Sequence, residues 1–95
     1  MNPHVTPESI KANEAEEMAK LVRLRDALVA RGVRAELCEH GNVVLVYRPP
    51  SSPGMPVWVF IGYGGAYYSW QSAEKRHPVD DVEGAAEVLA AYVRR

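Results

Sequence analysis

The sequence predicts an α+β domain in the order helix, four-stranded antiparallel meander, helix. Three observations carry this. Two stretches with helical apolar spacing flank the chain, around 14–31 and 81–93. The segment between them is rich in Val, Trp, Tyr and Phe. Glycine and proline cut that segment into short runs with connections suited to neighbouring antiparallel strands.

The elements follow in chain order. Residues 1–11 contain two prolines and no apolar period, which reads as a flexible N-terminal arm, leaving 12–95 as a single domain. Asn13 and Glu16 have the spacing of a capping box, so a first helix is expected from about Glu14 to Arg31. Gly32 supplies the stop, because glycine adopts the left-handed conformation at little cost. At 100° per residue, Ala15, Met18, Leu21, Val22, Leu28 and Val29 fall on one side, and Lys20, Arg23, Ala27 and Arg31 on the other. Val33–Glu39 alternates as a strand. His40-Gly41-Asn42 reads as a tight turn and Val43–Arg48 as the return strand. Pro49 to Pro56 is an exposed loop, since its prolines lack donors. Val57–Gly62 and Tyr67–Gln71 are the third and fourth strands, joined by the Gly62–Ala66 connection. Ser72 to Val79 is polar, and His77-Pro78 excludes a helix there. Asp80 and Glu83 repeat the capping spacing before a second helix from about Asp81 to Val93, with Val82, Ala85, Ala86, Leu89, Tyr92 and Val93 inward.

Composition narrows the classes of function. A chain of 95 residues, 47% hydrophobic, suits one folded domain. A net charge of −1 argues against duplex DNA or an anionic membrane as partner. Cys38 is the one cysteine, which fits a reducing cytoplasm. The N-terminus lacks a basic-then-apolar signal segment, and no apolar run is long enough to span a bilayer. The Ala, Val, Arg and Gly richness points to a GC-rich genome.

The most informative feature is an excess of apolar residues. A sheet covered on one face alternates apolar with polar, yet Val43-Val44-Leu45-Val46-Tyr47 and Val57-Trp58-Val59-Phe60-Ile61 do not alternate. Both faces of these strands are expected to leave water. Either the helices lie on opposite faces, or the N-terminal arm covers part of the second face, or that face meets another chain.

Candidate residues follow. Trp58, Tyr63, Tyr67, Tyr68 and Trp70 crowd around one hairpin and are residue types favoured at interfaces. Phe60 and one of the two tryptophans are expected in the core, with Tyr63 and Tyr67 the better surface candidates. Arg25 falls near the middle of the expected apolar helix face, where it must snorkel, find a carboxylate such as Glu36, Glu39 or Asp80, or face a partner. Gly62-Tyr63-Gly64-Gly65 is a turn rather than a phosphate cradle, because no helix follows it. Cys38, His40 and His77 would make three ligands if they converged, but their spacing is not specific, so no metal or other cofactor is expected. No nucleophile–base–orienter set stands out, which leans against an enzyme. Lys20, Arg23, Arg31 and Arg34 form a modest basic patch. With the helix–strands–helix order, this resembles the layout of double-stranded-RNA-binding domains. Their basic cluster at the start of the last helix is replaced here by Asp80, Asp81 and Glu83, which would repel phosphate.

The expectation is a small cytoplasmic protein–protein interaction module that self-associates, as a homodimer, through its aromatic-rich sheet. The alternatives are a nucleic-acid-binding regulatory domain using the basic first helix, or a small ligand-binding accessory protein.

Overall fold

The computed structural model describes residues 7–38, 42–71 and 75–94, with side chains described from residue 15 onward. It is an α+β fold of two helices around an antiparallel sheet, with one strand more than expected. The order is α1 (Pro7–Ala30), β1 (Ala35–Cys38), β2 (Val43–Val46), β3 (Val57–Gly62), a 3-10 turn (Tyr63–Gly65), β4 (Tyr67–Trp70), β5 (Lys75–Pro78) and α2 (Val82–Val93). The sheet is a plain meander, β1-β2-β3-β4-β5.

Helix α1 begins at Pro7, well before the Asn13–Glu16 pair and inside the stretch read as an arm. Proline suits the first helical turn, whose N–H groups have no intrahelical partner anyway. The capping spacing of Asn13 and Glu16 is therefore a coincidence within the helix. The C-terminal stop is as expected. Gly32, at φ 79°, donates to the Val29 carbonyl, and Val33 N–H reaches back to the Leu28 carbonyl, both at 3.0 Å. That pair of bonds is the Schellman motif, and it turns Val33 into the core.

The buried stripe of α1 is Leu21, Leu24, Ala27 and Leu28. Its phase differs from the expected one. Ala27 is inside and Val29 is 53% exposed. Three leucines at spacings of three and four outweigh the single valine, because each buries more area.

The polar Ser72–Val79 stretch, read as non-helical, contains β5. Lys75, Arg76 and Pro78 are residues that edge strands tolerate: cations discourage further pairing, and proline has no N–H to offer the open side. The α2 cap is Asp81 rather than Asp80. Its Oδ1 accepts from Gly84 N–H at 3.1 Å, while Oδ2 accepts from His77 Nε2 at 2.9 Å. These bonds tie β5 to the helix start. They also explain Gly84, since a Cβ there would collide with the Asp81 carboxylate.

The apolar sheet residues that are buried share one parity. Ala35, Val44, Val46, Val57, Val59, Tyr68 and Trp70 form a single cluster with Leu21, Leu24 and Leu28 of α1 and Ala85, Ala86, Leu89 and Val93 of α2. Both helices therefore lie on the same face. They also join each other: Arg31 of α1 donates to the Glu83 carbonyl and carboxylate at 3.2 and 3.1 Å. The buried Tyr68 hydroxyl donates to the Lys20 carbonyl at 2.7 Å, pinning α1 to β4. Of the three ways to cover both faces, helices on opposite sides is excluded, because the apolar stripes of both helices enter the one cluster.

Two outcomes follow. Leu24→Ala should cost about 2–5 kcal/mol in urea denaturation, and Val29→Ala should stay within about 0.5 kcal/mol. Equal costs would contradict the observed helix phase. Gly84→Ala raises helix propensity, yet here it should lower Tm because Asp81 must give up its cap. Hydrogen bonds from His77 first, and then from Gly84 N–H, hold the Asp81 carboxyl below its ordinary value. A carboxyl pKa depressed by folding contributes stability above the unfolded value of about 4, which is lost as pH falls through the folded one. Asp81→Asn should therefore flatten the acid limb of Tm against pH.

Candidate interaction face

The pleat sends alternate residues to opposite faces. With Val44, Val46, Val57 and Val59 against the helices, the other face receives Val43, Leu45, Trp58 and Phe60. Register aligns them in rows. Glu36, Leu45 and Trp58 form one row, and Cys38, Val43, Phe60, Ser69 and Arg76 the next. Gly62, Tyr67 and Pro78 form a third. No described element covers this face. Trp58 is 58% exposed, and Val43, Leu45, Phe60 and Tyr67 are half-buried. Phe60 thus leaves the core, where it was expected. It has the same parity as Trp58, the signal that places it outward.

Cation–aromatic clusters rim the face. On the β4–β5 side, Tyr63 and Tyr67 meet edge to face at 5.6 Å, and the Arg76 guanidinium lies 4.7 and 4.9 Å from their ring centroids. The 3-10 turn positions Tyr63, holding it at φ 55° ahead of Gly64 at 69° and Gly65 at 91°. On the β1–β2 side, Arg34 stacks 4.7 Å over Tyr47 and pairs with Glu36 at 3.2 Å. The Tyr47 hydroxyl donates to the same carboxylate at 3.0 Å. That bond to an anion raises the Tyr47 pKa and keeps the phenol protonated. Gly62 leaves room on the face for Ser69 and Phe60, since a Cβ there would sit 2.9 Å from the Ser69 hydroxyl. That hydroxyl is buried with no partner among the described residues.

The structure divides the residues singled out in the sequence. Trp58, Tyr63 and Tyr67 lie on the uncovered face or its rim. Tyr68 and Trp70 do not, because β4 parity turns them to the helices, where they are 0% and 2% exposed. Trp70 meets Tyr92 edge-on at 6.5 Å. Arg25 leaves the set as well. The corrected helix phase places it on a flank of α1, and it pairs with neighbouring Asp26 at 2.8 Å, not with Glu36 or Asp80. Glu39 and His40 lie outside the described residues. Cys38 and His77 occupy opposite edges and opposite faces of the sheet, about 19 Å apart at four strand spacings, so they cannot share an ion. Among the described residues no cluster of potential metal ligands occurs. Two cations of the basic patch pair with acids, Arg31 with Glu83 and Arg34 with Glu36, while Lys20 Nζ donates to the Gly65 carbonyl. Sequence reasoning missed Arg76, because its stretch was not read as a strand, and Met55, which is 80% exposed beside the face.

Compared with protein-family models, curated proteins and solved structures, the chain matches none. No helix among the described residues is long and apolar enough to cross a membrane.

The two tryptophans offer a direct check on the division of faces. Trp58→Phe should remove the emission that acrylamide quenches, and Trp70→Phe should leave it. Strong quenching that survives Trp58→Phe would contradict the assignment.

Proposed function

We propose that this chain is a protein–protein interaction module that pairs with a second copy of itself through the uncovered sheet face. One observation carries the reading: both helices share one side of the sheet, which leaves Trp58 exposed and Val43, Leu45 and Phe60 half-buried on the other. An apolar, aromatic centre with a rim of tyrosine and arginine is the anatomy of an interface.

A second copy fits the face by charge. A two-fold axis parallel to the strands lays β1 of one protomer over β5 of its partner, with Glu36 one row along from the partner's Arg76, so that opposite charges would meet at each rim. The flanking edges discourage the alternative of edge-to-edge pairing, because β1 is short and β5 carries two cations and a proline. Sheets pack face to face about 10 Å apart with their twists aligned.

Area sets the strength. Four spacings of about 4.8 Å by strands of about 13–20 Å give roughly 250–400 Å² of flat sheet, less than the roughly 800 Å² per partner of a standard interface. Met55 and Tyr63 add to it. The dimer is therefore reversible and concentration-dependent rather than obligate.

Sedimentation equilibrium tests this. Wild type should move from monomer towards dimer as concentration rises. Trp58→Ala should weaken the dimer by about 2 kcal/mol, roughly 30-fold in Kd, with circular dichroism unchanged. Val88→Ala, exposed on α2, should change nothing. A strict monomer at about 1 mM, which corresponds to about −4 kcal/mol of association, would refute the reading.

A further inference from the structure

Next to the uncovered face, where β3 begins and β4 ends, the 49–56 loop overhangs a cleft of about 630 Å³. Its walls include Trp58, Phe60, Tyr92 and Met55, and its polar groups include Arg48 and Gln71. That volume lies within the range of small-molecule sites, and the cleft is open to solvent with aromatic and polar groups both on its walls.

Arg48 defines the chemistry. Its Nε donates to the Met55 carbonyl at 3.2 Å and its Nη1 to the Tyr92 carbonyl at 3.4 Å. Its guanidinium lies 5.5 Å from the Tyr92 ring centroid. Arg25, Arg31 and Arg34 each pair with a carboxylate, whereas Arg48 has none among the described residues. Carbonyl dipoles orient this half-buried cation without neutralising it. Gly54 keeps the loop close over it, since a Cβ there would lie 2.8 Å from the arginine side chain. The Tyr92 hydroxyl donates to Gln71 Oε1 at 3.0 Å and braces the far wall. The cation is thus held in place before any ligand arrives.

We infer that this cleft binds a small, flat aromatic molecule bearing one carboxylate, with the ring against Trp58, Phe60 and Tyr92 and the carboxylate on Arg48. A guanidinium fork matches a carboxylate in shape and charge. The inference goes beyond self-association and does not require it, although Trp58 and Phe60 serve both surfaces.

Titration of the full chain with naphthoate and with uncharged naphthamide, followed by ¹H–¹⁵N NMR, tests it. Naphthoate should shift the Arg48 Hε, Trp58 indole and Gln71 amide signals saturably. Naphthamide should bind about tenfold more weakly or worse, the usual scale of a charge-assisted hydrogen bond. Arg48→Met should abolish that discrimination. Should Arg48→Met fail to fold, Trp58→Ala decides in its place: it removes an exposed wall and should weaken both probes. Equal affinity of the two probes for wild type, shifts centred elsewhere, Trp58→Ala without effect, or no saturable shift would each overturn the inference. Sedimentation of the same samples separates the two claims. A monomer that discriminates the probes refutes self-association alone, and a dimer blind to the charge refutes the cleft alone.

Discussion

Both helices pack on one side of the sheet. Leu21, Leu24 and Leu28 meet Ala85, Ala86, Leu89 and Val93 above Val44, Val46, Val57 and Val59 in one cluster. Small residues on α2 let the helices approach each other and the sheet together. Once that side is full, the pleat dictates what the other side holds. It holds Val43, Leu45, Trp58 and Phe60, because β2 and β3 are apolar at every position from Val43 to Val46 and from Val57 to Ile61.

Polar connections keep this arrangement in register. The Tyr68–Lys20 bond, the Arg31–Glu83 pair and the His77–Asp81–Gly84 cap join α1 to β4, α1 to α2 and β5 to α2. Each spans elements distant in sequence or reverses the chain between neighbours. The Arg48 side chain does similar work beneath the 49–56 loop, and that is why its charge is available in a cleft rather than spent on an acid.

Much of the fold was legible. Runs of β-branched and aromatic residues between glycine and proline located β2, β3 and β4, alternation located β1, and Gly32 marked the helix stop. The β5 strand was hidden because Lys75, Arg76 and Pro78 are poor strand formers, and only an edge position tolerates them. The phase of α1 was misjudged because Val22, Val29 and Leu24 compete for one stripe, and the choice belongs to tertiary packing. Arg25 followed that error. The uncovered face was half legible: parity paired Trp58 with Phe60, but which parity faces inward depends on where the helices go. The cleft was not legible at all, since Arg48, Met55 and Tyr92 meet through the loop and the C-terminal helix.

The chain's own helices seal one sheet face, and the proposal is that a second copy covers the other. Solvent paramagnetic relaxation of side-chain NMR signals, recorded over a dilution series, tests it most directly. Val44, Val46 and Val59 should stay silent at every concentration. Val43, Leu45 and Trp58 should relax strongly when dilute and become protected as concentration rises. Protection of Val43, Leu45 and Trp58 that persists at the lowest concentration, or exposure that persists at the highest, would contradict the account.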